Sequence, residues 1–351
     1  VSDPTPEPGS DRTDDRTDDR IDDLVHRADL DGLVRLVDDC TTAHDWAAIR
    51  RIRDRARVAV TTGRQLWPVA TLAEYRLALH APPAWAAGVL GEEGGRFSIG
   101  PLTEVVAQHH TFAELLPHLE SGPRRTLVAH ERVLRGEHLD PTSTIDLLDV
   151  FDLPWRLETW EPAYALPTYT DDGVDAPSPD RPSAEAFRPL AIDDPSHPTA
   201  ARVDDPAVSA AVRDLVEPWT ASSNGHAEAV CVASTRPDDA VAALGVRSGR
   251  LAPITSNDAL RMLHWAGASG GAHGRRRGGA LGRFGTWWVL GALAGDDPAD
   301  PLDAHDLGEF ARDVGWWWWD ANEPQSGWEL RLAVVDELEG RAWAFNARDA
   351  T

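Results

Sequence analysis

Residues 258–295 limit the fold more than any other stretch, because they pattern as two helices joined by a loop dense in Gly and Arg. Thr255, Ser256 and Asn257 offer side-chain oxygens for orphan N–H groups, and Asp258 places a carboxylate in the first turn. Leu260, Leu263 and Gly267 then share a stripe, flanked by Met262 and Ala266. The second helix begins near Gly278, where Gly278, Gly282 and Gly285 fall on one face. Glycine costs a helix roughly 1 kcal/mol against alanine, so three on one stripe predict that another backbone packs closely there. Phe284, Trp287, Trp288 and Leu290 occupy the remaining surface. Arg283 interrupts an apolar run that is already shorter than the roughly 20 residues of a membrane span. A buried helical hairpin is predicted, with no membrane contact.

Around this hairpin the chain divides by pattern. Residues 1–19 contain DRTDDRTDDR and read as a disordered acidic tail, with too little apolar surface to offset ordering entropy. Residues 20–150 read as an all-helical domain. Ile21, Leu24 and Val25, then Leu33, Val34 and Val37, then Trp46, Ile49, Ile52 and Ala56 each repeat a helical spacing. The opposite face of the last segment carries Arg50, Arg51, Arg53, Arg55 and Arg57, expected to be solvated and paired with nearby Asp. Thr111 and Glu114 form a capping box before Leu115. Residues 151–205 read as an extended arm followed by a Pro/Asp-rich linker.

Residues 206–351 read as an α+β domain, which makes the fold class α+β with an N-terminal helical domain. Asp205-Pro206 starts a helix, residues 227–234 form a β-like run, and Asp303 caps a helix carrying Leu307, Phe310 and Ala311. Trp328, Leu330, Leu332 and Val334 alternate with Glu329, Arg331 and Ala333, the period of a half-buried strand. A small antiparallel sheet of about four strands is expected, covered by helices on one face. Trp316, Trp317, Trp318 and Trp319 form a further strand with alternate rings on opposite faces. One pair falls beside Arg331, a surface suited to stacking on a protein partner, although register does not settle which pair.

Composition removes several function classes. All 34 basic residues are Arg, so the chain has no lysine. Schiff-base and pyridoxal-phosphate chemistry, the phosphate-loop lysine and the kinase strand lysine are thereby excluded. A net charge of -24 argues against nucleic acid and anionic membrane as partners. Cys40 and Cys231 alone build neither a disulfide framework nor a thiolate metal site. An acidic, Pro-rich start without a basic and apolar leader implies a cytoplasmic location.

Four groups of residues carry candidate chemistry. Gly267-Ala-Ser269-Gly-Gly271 matches G-x-S-x-G, but a helix precedes it where a hydrolase has a strand, and the downstream Asp297 and His305 lie in a connection. His109, His110 and His118 lack the spacing of a zinc helix, so no metal and no cofactor are expected. Asp320, Glu323 and Asp336 cluster near the last strands, where acid or base work competes with ordinary turn roles. Gly274, Arg275, Arg276, Arg277 and Gly278 form a Gly-rich entrance to a helix, whose free N–H groups and guanidinium groups suit phosphate or carboxylate. The sequence therefore favours a binding or assembly protein without catalysis, with an unknown protein partner or an anionic small molecule as ligand. The second reading is an enzyme acting on a phosphorylated or other anionic small molecule through this loop.

The blocks His264-Trp265-Ala-Gly-Ala-Ser-Gly-Gly-Ala-His273, Gly282-Arg-Phe-Gly-Thr-Trp-Trp288 and Gly327-Trp-Glu-Leu-Arg-Leu-Ala-Val334 together resemble a group of actinobacterial proteins of unknown function. The similarity lies mainly in the C-terminal domain, with weaker matches at Gly122-Pro-Arg-Arg and Trp160-Glu-Pro-Ala-Tyr164. It implies no activity and no catalytic residues.

Overall fold

A computed structural model describes residues 10–90, 100–140, 151–191, 200–296, 301–323 and 327–350. Its contacts divide the chain into one unit of Val1–Val128 with Thr168–Asp175, and a second of Ala129–Pro167 with Ala176–Thr351. The segment assigned by composition to an arm and linker is thus shared between both. Residues 151–167 belong with the C-terminal unit and residues 168–175 with the helical one.

In the first unit the helical spacings become α1 (Ser10–Arg27), α2 (Leu30–Thr42), α3 (Trp46–Thr61), α4 (Trp67–His80), α5 (Pro83–Gly88), α6 (Leu102–His109) and α7 (Phe112–Leu115). α8 (Pro123–Leu134) follows. Asp29 and Asp45 cap α2 and α3 by accepting from the N–H groups of Gly32 and Ala48. α1 starts inside the stretch expected to be a disordered tail. Ion pairs explain how so polar a segment stays helical: Asp18 and Asp22 meet Arg51 and Arg55 of α3, and Ile21 and Leu24 are buried. The remaining arginines of that α3 face are paired too, Arg57 with Glu74, and Arg50 and Arg53 with Asp54. A short antiparallel hairpin, β1 (Thr168–Thr170) and β2 (Gly173–Asp175), completes the unit. Its Tyr169 hydroxyl donates to buried Glu104 at 2.6 Å, and Thr170 O accepts from Tyr75 at 2.7 Å.

The second unit is built on a seven-stranded antiparallel sheet in the order β3-β6-β7-β8-β9-β5-β4. These strands are β3 (Arg188–Pro189), β4 (Arg202–Val203), β5 (His226–Ala233), β6 (Arg250–Ile254), β7 (Gly315–Asp320), β8 (Trp328–Asp336) and β9 (Arg341–Asp349). The helices are α9 (Pro206–Leu215), α10 (Glu217–Ala221), α11 (Pro237–Ala243), α12 (Ser256–Ala268), α13 (Gly279–Ala294) and α14 (Ala304–Asp313). The fold class is α+β as expected, but the sheet is not small. Its edges β3 and β4 are two residues each and lie in the stretch read as linker, where no periodicity can register. Nor do helices cover one face only. α9 and α12 pack on the face bearing Leu330, Leu332, Val334 and Phe345, while Ala240 and Val241 of α11 cluster with Val232, Leu251, Trp319 and Val335 on the other.

The hairpin α12/α13 packs as closely as the glycine stripe demands. A Cβ on Gly282 would stand 2.5 Å from the carbonyl oxygen of His264 and 2.9 Å from Cβ of Ala268. Gly285 faces a different helix, where Leu215 of α9 fills the space. Gly278 caps α13 at φ 102°, a left-handed conformation that favours glycine. Among the described residues, no helix is long and apolar enough to cross a membrane.

Candidate functional site

Met262 and Trp265, three residues apart on α12, project toward the end of the sheet where Trp318 of β7 and Trp328 of β8 stand. Residues 177–182, without regular secondary structure, line this corner as a strap, with Pro177, Pro179 and Pro182 limiting its backbone freedom. Together they enclose a cleft of about 470 Å³. Its walls are the three indoles and Met262, and its polar groups are Ser178, Arg181 and Glu329. Trp265 is held by neighbours: its ring lies 5.4 Å from that of Trp328 and edge-on to that of Trp219 at 5.8 Å. A smaller cavity of about 160 Å³ shares Ser178, Pro179 and Trp265, and reaches Asp180, Asp258, Arg261 and His264.

Charge at the mouth is organised by Asp320. Its Oδ2 accepts from Arg181 at 3.1 Å and from Arg250 at 2.9 Å, and its Oδ1 accepts from the Asn322 N–H at 2.8 Å. Burial works to raise its pKa, but the Arg250 bond, the Asn322 amide and the charge of Arg181 outweigh it and hold the carboxyl below its ordinary range. The guanidinium carbon of Arg181 sits 5.6 Å from the centre of the Trp318 ring. Glu329 lies 3.9 Å from Arg331, which also meets Glu323 at 3.1 Å.

The glycine and arginine loop is arranged differently from its sequence reading. Ser269 is a buried helix terminus: its hydroxyl accepts from the Trp219 indole at 3.0 Å and donates to Ala266 O at 3.1 Å. Past it, the Ala272 N–H donates to Asp349 at 2.7 Å, a fully buried carboxylate that also accepts from Ser223. The entrance to α13 likewise meets an acid of this chain, since the Ala280 N–H donates to Glu131 of α8 at 2.8 Å. Arg277 donates to Asp214 O at 3.0 Å, and burial lowers its pKa against the opposing pull of Glu217 and Asp214. Gly274 closes the loop on itself, with no room for a Cβ beside Gly270 O. The stretch expected to bind an anion, Gly274, Arg275, Arg276, Arg277 and Gly278, is thus flanked by two N–H groups, of Ala272 and Ala280, that hold Asp349 and Glu131.

The tryptophan run is also turned inward. Trp316 is buried and donates to Ala311 O at 2.9 Å, and Trp319 is buried and donates to Phe345 O at 3.0 Å. Trp317 is half-buried beneath Arg188, whose guanidinium stands 5.3 Å from the ring and grips Asp238 with both terminal nitrogens at 2.8 and 2.6 Å. Arg331 lies 5.1 Å from the Trp319 ring and is itself buried. The stacking of Trp and Arg foreseen as a partner surface at Trp316, Trp317, Trp318, Trp319 and Arg331 is thus made within the chain. The guanidinium groups come from the strap, β3 and β8.

The other candidates have ordinary partners. Among the described residues no group of three or more His, Cys, Asp or Glu is arranged to hold a metal. His110 meets Ala81 O at 3.0 Å. Glu323 pairs with Arg331, and Asp336 accepts from the turn N–H groups of Leu338 and Glu339. Asp297 lies outside the described residues. Cys40 and Cys231 are buried thiols whose pKa values burial pushes up to about 11.

Sequence reasoning missed two arrangements. The first is the cleft, because Arg181 and Pro179 meet Trp265 and Trp318 only through the tertiary fold. The second is a dry ion pair of α13 with residues 151–167. Arg283 donates from Nε and one terminal nitrogen to Glu161 at 2.8 and 2.7 Å, and both side chains are 0% exposed. The guanidinium also donates to Pro154 O at 2.9 Å and Arg156 O at 2.8 Å, while Trp287 donates to Glu161 at 2.9 Å. The interruption of an apolar run by Arg283 was the one visible signal of this pair.

Residues 31–351 match a family of unknown function, DUF6183, and the chain belongs to that family. No curated protein and no solved structure matches it.

Proposed function

We propose that the protein is a cytoplasmic binding protein that takes its ligand in the tryptophan-lined cleft of the second unit. The observation that carries this reading is the cleft itself. At about 470 Å³, it falls within the ~300–1,000 Å³ of small-molecule sites, and mostly apolar walls with a few convergent polar groups are the usual composition of such sites. Packing against Trp219 and Trp328 fixes Trp265 in place, so a ligand meets a preformed wall. The Arg loop supports the enzyme reading less than the cleft supports binding, since the N–H groups on either side of it, of Ala272 and Ala280, hold carboxylates of this chain. The use of Arg in place of Lys and the resemblance of the C-terminal blocks support an actinobacterial source.

A fragment collection screened by ligand-observed NMR tests the cleft, with Trp265→Ala as the control protein. Compounds that bind the wild-type chain and lose their signal with the variant are expected. If every compound behaves alike with both proteins, the cleft is not the binding site.

A further inference from the structure

The second unit contains three arginines that stack on the tryptophan run, and they are not held equally. Arg188 grips Asp238 with two bonds, and Arg331 is buried. Arg181 reaches Asp320 through an oxygen that Arg250 also uses; its side chain is 35% exposed, against 42% for Arg188 and 6% for Arg331. It is also the only one of the three that lines the cleft. From this we infer that the cleft accepts an organic cation, an alkylammonium or guanidinium group, for which Arg181 on Trp318 is a built-in stand-in. This inference rests on the cleft being the binding site.

Four observations converge on that class. An indole face attracts a cation more strongly than any other side-chain ring, and three indoles line the space together with the soft thioether of Met262. The chain already demonstrates the chemistry there, with a guanidinium 5.6 Å from the Trp318 ring centre and a carboxylate behind it. The adjoining cavity adds a carboxylate, Asp180, beside the Arg261–Asp258 pair, while Glu329 in the cleft wall meets Arg331. Finally, a net charge of -24 enriches cations around the whole molecule.

An anionic ligand meets the opposite conditions. To pair with Arg181 it must compete with Asp320, which is fixed by Arg250 and the Asn322 N–H. A cation instead displaces the Arg181 side chain. Asp320 then keeps Arg250 and the Asn322 amide, so no carboxylate is left buried and alone.

Calorimetric titration of the full chain with choline, N-ethylguanidinium, 3,3-dimethylbutan-1-ol and inorganic phosphate tests the inference. The alcohol matches choline in shape without its charge. Choline or ethylguanidinium should bind at least about tenfold more tightly than the alcohol, and which of the two is preferred identifies the head group. Arg181→Ala should tighten cation binding several-fold by removing the competitor, and Trp265→Ala should abolish it. Arg181→Gln serves if the alanine variant is poorly folded. Equal binding of choline and the alcohol, both lost in Trp265→Ala, overturns the cation inference and leaves the cleft as an apolar site. Preference for phosphate overturns it as well. Absence of cation binding to both the wild type and the Arg181 variant overturns it too, and the fragment screen then decides separately whether the cleft binds at all.

Discussion

Arg283 and Arg181 lie in the same unit, and each places a guanidinium beside a tryptophan and a carboxylate. Arg283 is 0% exposed and donates to both oxygens of Glu161 and to two backbone carbonyls. Arg181 is 35% exposed, shares its carboxylate oxygen with a second arginine, and borders a cleft. Near-identical chemistry therefore supports two roles, and solvent decides between them. Where the group is dry and surrounded by acceptors, removing it strands a charge and the fold depends on it. Where water and another arginine stand ready, the same group can be exchanged for something else.

The comparison breaks first at Arg283. Arg283→Met should destabilise the protein by about 3–5 kcal/mol, because it leaves the Glu161 carboxylate buried without a counter-charge. Urea unfolding of the variant measures this, and adding Glu161→Gln should restore part of the loss. A cost below ~1 kcal/mol for Arg283→Met would remove the distinction between the two arginines.

The dryness of that region also sets a pH dependence. His130 of α8 is fully buried, stacks on Trp155 at 4.5 Å, and has neither ring nitrogen hydrogen-bonded among the described residues. Burial, and then the charge of Arg283, push its pKa down to about 3. An imidazole in the unfolded chain takes its proton near 6.5, so the unfolded state binds more protons between these two values. The contribution of a neutral His130 is complete above about pH 6.5 and is lost as pH falls toward about 3. His130→Phe should remove this component, making the variant less acid-sensitive than the wild type by an amount on the order of a few kcal/mol at the low end. Melting temperatures of both proteins from pH 7 to pH 4 provide the check, and parallel curves would show that the region is wetter than its packing indicates.

The smallest effect belongs to Arg181. Arg181→Ala should change stability by less than about 1 kcal/mol, as expected of a partly exposed ion pair, and thermal unfolding with excess ligand absent measures it. A loss comparable to that of Arg283→Met would mean that the strap is part of the framework.

The local features of the fold were legible because they depend on near neighbours. The hairpin followed from Thr255, Asp258 and the glycine face, and the structure shows the capping box at Thr255 and the close approach at Gly282. The alternation of Trp328, Leu330, Leu332 and Val334 likewise gave β8. What the sequence concealed is set by distant partners. β3 and β4 are too short to carry a period, and β6 contains Pro253, which obscures its strand pattern. The candidate sites suffered from the same limit. A glycine and arginine loop before a helix looks open to an anion, and only the fold shows that Glu131 and Asp349, separated from it by many residues, meet the N–H groups on either side of it. Trp265 was visible as a residue, but its value as a wall depends on Arg181 and Pro179 from the far side of the chain.

The strand order of the large sheet has a further consequence on the ribosome. Its two edges, β3 and β4, emerge before the strands that separate them, and β7, β8 and β9 emerge last of the seven. At ~5–20 residues per second, the first edge waits on the order of ten seconds for the centre of its own sheet. Vectorial synthesis therefore offers this unit only the pairs β4–β5 and β3–β6 until the tryptophan strand and its two successors join them.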